Sequence, residues 1–177
     1  GTRIEGEGFV EPSAFHIHNA IHMTRPDATC VMHCHPPYPL ALCMIEEGRL
    51  EYADQNACRF YGKIAYDDDY RGGALDEDEG SRIANAFRDY DVLFMANHGI
   101  TVAGTSVAHA WEQLYFLNRA CQAQVLAMST GRALKKIPES IVKSVAQQIE
   151  TEGSGGAANH HRHFTALKRL LEPEQPN

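Results

Sequence analysis

The sequence lacks long hydrophobic runs, an excess of basic residues and paired cysteine motifs. No apolar run in its 177 residues approaches the about 20 residues that a helix needs to span a bilayer, and residues 1–7 do not resemble a signal peptide. With 23 acidic and 16 basic residues, the net charge of -7 disfavours nucleic-acid binding. Five cysteines without paired spacing indicate reduced thiols rather than a disulfide framework. We therefore expect a cytoplasmic protein with no membrane or nucleic-acid partner.

The composition is that of an ordinary globular protein, with 44% hydrophobic and 22% charged residues. The length and the lack of an internal repeat predict one domain over residues 1–177. Hydrophobic periodicity and capping residues predict helices and strands in mixed order, which indicates an α/β layered fold. The glycine-rich run 153–156 predicts a flexible break. Helices are predicted at 12–25, 40–46, 76–90, 106–129, from 138 and at 163–171, and strands at 27–35, 61–66, 91–96 and 100–103.

The pattern that says most about function is His33-Cys34-His35, at the end of an apolar run. Because alternate residues of a strand face the same side, the imidazoles of His33 and His35 are expected to project together. The motif Asn97-His98-Gly99 follows a second apolar run and would add a third imidazole from a neighbouring strand end. Three nitrogen ligands with an open fourth position are typical of a catalytic zinc site. The spacing therefore predicts a metal centre.

Other interpretations of the same residues stay open from the sequence. All-nitrogen ligation suits Mn²⁺, Fe²⁺ or Co²⁺ as well as Zn²⁺. His33 and His35 could instead be two solvated polar residues at a strand end. Cys34 could be a nucleophile activated by the flanking histidines, but strand alternation places it on the opposite face.

Several further histidines have a spacing that metal ligands can use. His18 and His22 stand four residues apart on the first helix, although no glutamate follows His18 as it does in metalloproteases. We favour buried or half-buried helix histidines for this pair. For His160, His161 and His163 we favour a solvated helix face, with a fourth ligand or a substrate contact as the weaker alternative.

Two acidic features are interpreted without a ligand. The run Asp67-Asp68-Asp69 lacks the alternating acids, the central glycine and the closing glutamate of a calcium-binding loop. We expect it to be a solvated turn. Glu11 is interpreted as a helix-start acid that lies close in sequence to the metal motif.

Taken together, the motifs resemble the class II aldolase/adducin family. The likeness extends over nearly all of the chain up to the terminal helix. It rests on four strings in the family's order and at compatible spacing: EPSAFHIH at 11–18, RPDA at 25–28, VMHCH at 31–35 and ANHG at 96–99.

The resemblance implies both a site and a fold. His33, His35 and His98 would be the ligands of a divalent ion, usually zinc. That ion polarises a carbonyl and stabilises an enediolate in reversible aldol cleavage. The fold would be a three-layer α/β/α sandwich with a central mixed, mainly antiparallel sheet. The family commonly forms homotetramers with active sites at subunit boundaries.

The sequence departs from the family pattern in two places. Ala14 occupies the position of the glutamate that serves as general acid/base in the sugar-phosphate aldolases, a role typically worth about 10²–10⁴-fold in rate. Ser13 matches the serine that contacts the substrate phosphate in those enzymes. The family's N-terminal segment, with its phosphate loops, is not found here, so we expect the domain to lack it. The tail at 164–171 resembles the adducin-type branch.

Two hypotheses about function follow. The first is a divalent-metal-dependent lyase that cleaves a C–C bond of a small carbonyl or carboxylate substrate. Decarboxylation is included beside aldol cleavage, because a metal can stabilise the carbanion equivalent without the glutamate that is missing at Ala14. The alternative is a non-catalytic, adducin-like binding or assembly module that keeps the fold.

Overall fold

A computed structural model describes residues 3–152 and 157–171, so the predicted break at 153–156 lies outside the described residues. Within these ranges, no helix is both long and apolar enough to cross a bilayer. The helices and strands of this part of the chain follow one another in the order α1 Pro12–Thr24, β1 Cys30–Cys34, α2 Pro37–Cys43, α3 Gln55–Cys58, β2 Ile64–Asp67, α4 Glu77–Phe87, β3 Val92–Met95, β4 Gly99–Gly104, α5 Val107–Met128, α6 Glu139–Glu152 and α7 Ala157–Lys168.

The strands form one four-stranded sheet in the order β1-β4-β3-β2. Strand β4 pairs antiparallel with both β1 and β3, while β2 and β3 run parallel. The sheet is therefore mixed and mainly antiparallel, as the resemblance implied. In the β1–β4 register, His33 lies opposite Thr101, which brings the end of β1 beside the turn between β3 and β4.

Helices cover both faces of the sheet, because alternate strand residues face opposite sides and pack into two separate hydrophobic clusters. One face packs with α2, α3 and α5 around residues that include Phe60, Phe94 and Leu117. The other face packs with α1 and α4 around residues that include Ile17, Phe87 and Leu93. These three layers confirm the predicted α/β/α sandwich.

Helix α2 begins earlier than predicted. The expected range was 40–46, whereas the helix runs from Pro37 to Cys43 and includes a second proline at 39. Prolines are tolerated in the first turn of a helix, where the backbone N–H groups have no intrahelical acceptor. The cluster of prolines therefore starts this helix instead of separating it from the strand.

Two further helices differ from the sequence-based expectation. Helix α3 was not predicted, because a helix of four residues is too short to show a hydrophobic period. It forms where the Asp54 side chain accepts a hydrogen bond from the Ala57 N–H at 2.9 Å. Helix α7 begins at Ala157 rather than at His163.

Helix α1, which carries Ser13 and Ala14, is held very close to α4. A Cβ atom added at Gly80 of α4 would lie 2.6 Å from the His16 carbonyl oxygen and 3.0 Å from its carbonyl carbon. Such distances are shorter than van der Waals contact, and the atoms concerned belong to the backbone of α1. Glycine at 80 therefore allows the two helices to approach.

Gly80→Ala should lower the free energy of unfolding by about 1–3 kcal/mol, because the new methyl group must displace the α1 backbone. Helix propensity acts in the opposite direction and favours alanine by about 1 kcal/mol. A net loss of stability would therefore be due to the contact between the new methyl group and the α1 backbone. Urea denaturation followed by circular dichroism measures it. Gly73→Ala is the control, since its Cβ would contact only the Leu75 side chain at 3.6 Å or more. An unchanged midpoint for Gly80→Ala would contradict the close approach.

Candidate metal centre

Three histidines meet at one edge of the sheet. His33 is near the end of β1, His35 follows the last residue of that strand, and His98 lies in the turn between β3 and β4. Their ring centroids are 4.9 Å apart for His33–His35, 4.8 Å for His33–His98 and 5.0 Å for His35–His98. One nitrogen from each ring lies within 4.8 Å of the other two. The sequence-predicted residues are thus brought together as a histidine triad.

The His33 ring is oriented by β4. Its Nδ1 lies 3.0 Å from the Ile100 carbonyl oxygen and 3.2 Å from the Thr101 hydroxyl. A carbonyl only accepts, so Nδ1 carries the proton and Nε2 keeps its lone pair. That Nε2 lies 3.0 Å from Nε2 of His35. This arrangement suits a cation between the rings, because a carbonyl on the outer nitrogen is the usual partner of a metal-binding histidine.

The electrostatics at His33 and His98 favour unprotonated rings. Burial, followed by the proximity of His98 and His35, lowers the pKa of His33 from 6.5 to about 4. Burial and then His35 also lower the pKa of His98, while Asp67 acts in the opposite direction. Imidazole binds a metal only in its neutral form. His33 and His98 are therefore in the ligating state at neutral pH.

Glycine at position 99 is required by the closeness of His35. A Cβ atom built on Gly99 would lie 2.8 Å from the Cys34 carbonyl oxygen and 3.2 Å from Nε2 of His35, and still nearer to Cδ2 of that ring. Any larger residue would displace the imidazole from the triad. The glycine of the Asn97-His98-Gly99 motif thus makes room for a ligand contributed by another strand.

The turn that carries His98 is fixed by backbone hydrogen bonds. The Ala96 N–H donates to the Asp67 carbonyl at 2.8 Å, and the Asn97 N–H donates to the Cys43 carbonyl at 2.9 Å. Asn97 has a φ of 56°, in the left-handed region that asparagine tolerates better than most residues. These contacts tie the turn to β2 and α2.

The acidic run is more structured than the expected solvated turn. Asp67 is the last residue of β2 and is buried, and its carboxylate forms two hydrogen bonds with Arg82 of α4, at 2.7 and 2.8 Å. Arg82 also binds Glu79, and these two carboxylates, Glu79 first, raise the pKa of Arg82. The expectation was wrong for Asp67, because a strand end and a distant arginine cannot be read from a short run of aspartates, whereas Asp68 and Asp69 are exposed as expected.

Each of the other two aspartates also pairs with an arginine. Asp68 binds Arg49 through both carboxylate oxygens, at 3.1 and 2.6 Å, and Asp69 accepts from Nε of Arg71 at 2.8 Å. The next residue is Tyr70, whose ring centroid lies 6.3 Å from that of His98. No sequence motif predicted a position near the triad for Tyr70. The one indication in the sequence was that Tyr70 directly follows the three aspartates.

Ser13 and Ala14 lie in the first turn of α1. The Ser13 hydroxyl donates to Glu11 Oε2 at 2.6 Å, and the same oxygen accepts from the Ala14 N–H at 2.8 Å. Glu11 is therefore the N-cap of α1, in agreement with the helix-start interpretation. Its pKa is lowered chiefly by the Ser13 hydrogen bond. A role of Ser13 in substrate binding stays a prediction.

The other sequence-predicted candidates lie outside the triad. Cys34 contacts the hydrophobic cluster on the α5 side of the sheet, and burial raises its pKa, which disfavours a thiolate nucleophile. His18 is half-buried, as favoured above, whereas His22 is exposed, so the expectation was wrong for His22. The solvated-face expectation fails for two histidines of α7: His160 Nδ1 donates to Glu112 of α5 at 2.8 Å, and His163 lies 4.0 Å from the same carboxylate.

Comparison with known proteins agrees with this geometry. The family described as Class II Aldolase and Adducin N-terminal domain matches residues 1–125, more than half of the chain. The chain belongs to this family. Decarboxylase NovR from Streptomyces niveus is 32% identical over 180 residues, an alignment that covers 98% of this chain and 66% of NovR. The chain thus spans just under two thirds of that relative.

Solved structures of the family share the fold. An aldolase II superfamily protein from Pseudomonas syringae is similar with a TM-score of 0.82 and 34% identity, over 93% of this chain and 64% of that chain. L-fuculose 1-phosphate aldolase from Glaciozyma antarctica PI12 is similar with a TM-score of 0.78 and 26% identity, over 100% of this chain and 68% of that chain. The three-layer architecture is therefore that of the class II aldolases.

Gly99→Ala should displace His35 and weaken Zn²⁺ binding by at least about tenfold, because the methyl group occupies the space of the imidazole. The fold should persist with a loss of about 1–3 kcal/mol, since the Cys34 carbonyl must also move. Zinc titration with a competing chromophoric chelator measures the affinity, and circular dichroism checks the fold. A folded variant that binds Zn²⁺ with wild-type affinity would contradict the close contact between Gly99 and His35. Gly73→Ala, in the loop before α4, is the control.

Asp67→Asn should lower the free energy of unfolding by about 1–3 kcal/mol, because it leaves a largely buried arginine with one carboxylate partner fewer. The loss is smaller than for a fully buried pair, since Glu79 still binds Arg82. Asp69→Asn is the matched control and should change stability much less, because both side chains of its ion pair are more than half exposed. Equal losses of stability for the two variants in urea denaturation would contradict the greater role assigned to Asp67.

Proposed function

We propose that the chain carries the centre of a divalent-metal-dependent lyase that cleaves a C–C bond of a small carbonyl or carboxylate substrate. The observation that supports it is the convergence of His33, His35 and His98 within 4.8 Å. Two of these rings are kept neutral by burial and by one another. Membership of the class II aldolase family adds the expectation of a divalent ion at these residues.

The proposed ligands are the three imidazoles, and Zn²⁺ is the proposed ion, with Mn²⁺, Fe²⁺ and Co²⁺ as alternatives. A divalent ion bound there supplies Lewis-acid stabilisation of negative charge on a substrate oxygen. The residues of the chain itself orient the ligands: the Ile100 carbonyl and Thr101 hydroxyl hold His33, and the small Gly99 admits His35. Substrate binding by Ser13 belongs to the same proposal.

Ala14 favours decarboxylation within this class of reactions. Aldol cleavage requires a base that removes the proton of a substrate hydroxyl, and an alanine methyl group cannot accept it. Loss of CO₂ breaks the C–C bond without that proton transfer, since the electron pair stays on the substrate carbon and is later protonated. The relative NovR carries the name decarboxylase. We therefore place a small carboxylate first among the substrate classes.

We further propose that the protein acts in the cytoplasm as a homotetramer on a small-molecule substrate. A second function has one observation in its favour. The absence of an acid/base side chain at Ala14, in a family whose description includes adducin, also fits a non-catalytic binding or assembly module. In that case the fold and its oligomer would not depend on the triad.

The lyase proposal is tested by metal analysis and turnover of the longest natural polypeptide that contains this chain. We expect about one ion per chain and metal-dependent turnover in a screen of hydroxy-carbonyl compounds and aromatic carboxylates. His33→Ala should lower metal affinity by more than about 100-fold and abolish turnover, because one of three ligands is lost. His22→Ala, an exposed histidine of α1, is the matched control and should change neither.

The outcomes separate the two functions. Protein that binds no divalent ion after reconstitution would refute the lyase. Bound metal without turnover across the screen, together with an unchanged oligomer in His33→Ala, would favour the assembly module. Size-exclusion chromatography with light scattering measures the oligomer.

A further inference from the structure

The loop after β2 presents a phenol beside the histidine triad. Tyr70 is 52% exposed, and its ring lies 6.3 Å from that of His98 at an angle of 59°. Within the residues that the structure describes, its hydroxyl makes no hydrogen bond. A tyrosine hydroxyl can donate one hydrogen bond and accept others. It is therefore available to a ligand that contacts His98.

Two ion pairs connect this loop to other parts of the chain, and a third lies within the loop. Asp67 is bound by Arg82 of α4, Asp68 by Arg49, and Asp69 by Arg71, so each of three consecutive carboxylates has its own guanidinium. Bidentate pairing, as between Arg49 and Asp68, fixes orientation as well as distance.

Arg49 also stacks on the ring of Tyr66, with its guanidinium carbon 4.3 Å from the ring centroid. That ring belongs to β2, so the arginine joins the loop to the sheet. Tyr70 follows directly on these anchored positions. The pairs with Arg82 and Arg49 limit the movement of the backbone that precedes Tyr70, which reduces the entropy lost when a ligand binds.

Asp67 and Ser13, two other polar residues considered above, already have hydrogen-bond partners. The carboxylate oxygens of Asp67 bind Arg82, and the Ser13 hydroxyl binds Glu11. His18 is half-buried beside His22, with a ring distance of 6.4 Å. Ala14 has no polar group. Tyr70 differs from Asp67 and Ser13 in that its hydroxyl has no hydrogen-bond partner among the described residues.

We propose that Tyr70 is a substrate-binding residue whose hydroxyl donates a hydrogen bond to a carboxylate or enolate oxygen of a ligand at the triad. The inference rests on the proposed function, since it presupposes a ligand at the metal centre. In this proposal, the loop after β2 recognises the end of the substrate that carries the oxygen atoms. The role is one of binding and orientation, and no proton transfer is assigned to it.

Oxalate is the probe, because it is a small planar dicarboxylate that resembles an enolate in shape and charge. Isothermal titration of Zn²⁺-loaded protein with oxalate compares wild type with Tyr70→Phe. The variant keeps the ring and loses the hydroxyl alone. We expect about tenfold weaker oxalate binding, the effect of one hydrogen bond to a charged acceptor. Zinc content and thermal unfolding should be unchanged.

Tyr61→Phe is the matched control. Its hydroxyl donates to Glu139 at 2.7 Å, and it precedes β2, at the opposite end of that strand from Tyr70. Its removal should leave oxalate binding unchanged.

The other outcomes show which of the two proposals is wrong. Equal oxalate affinity in wild type and Tyr70→Phe would overturn the role of Tyr70 while leaving the metal centre intact. Zinc-loaded wild type that does not bind oxalate would also overturn it. Failure of the wild type to bind Zn²⁺ would instead overturn the proposed lyase itself, and the Tyr70 role with it.

Discussion

Antiparallel pairing of β1 with β4 is the constraint on which the rest of the site depends. Its register sets His33 opposite Thr101, so the carbonyl and hydroxyl of β4 orient the first imidazole. The same pairing brings His35 against Gly99, where a side chain would collide. Because β4 also pairs with β3, the turn between them delivers His98 to the same edge. A slip of one residue in the register would send the ligands to the opposite face.

The site combines two kinds of electrostatic environment. His33 and His98 are partly buried, and burial together with neighbouring imidazoles lowers their pKa, which favours the neutral rings with free lone pairs. The adjoining loop is dense in charge, yet each aspartate is neutralised by an arginine. The loop therefore contributes little net charge to the site. An aspartate triplet can accordingly lie beside the histidine triad in a chain whose net charge is -7.

The architecture also separates the histidine triad from position 14. The triad comes from the sheet edge, whereas position 14 belongs to a helix in the layer that packs on the opposite side from α5. A change at position 14 therefore leaves the triad intact. The triad can form without an acidic side chain at position 14, which is why membership of one family is compatible with both the proposed lyase and a binding module.

The sequence by itself determined the α/β class, the mixed order of helices and strands, and the identity of the three histidines, because strand alternation and a glycine-bounded turn are local patterns. It did not determine the start of α2, the existence of α3 or the partners of Asp67, because these depend on first-turn prolines, on a cap without a hydrophobic period and on an arginine fifteen positions away. Tertiary structure alone decided that Gly99 faces His35, that Tyr70 stands beside His98 and that His160 meets Glu112. Each of these joins residues from different elements, and their distances are set by how the layers pack.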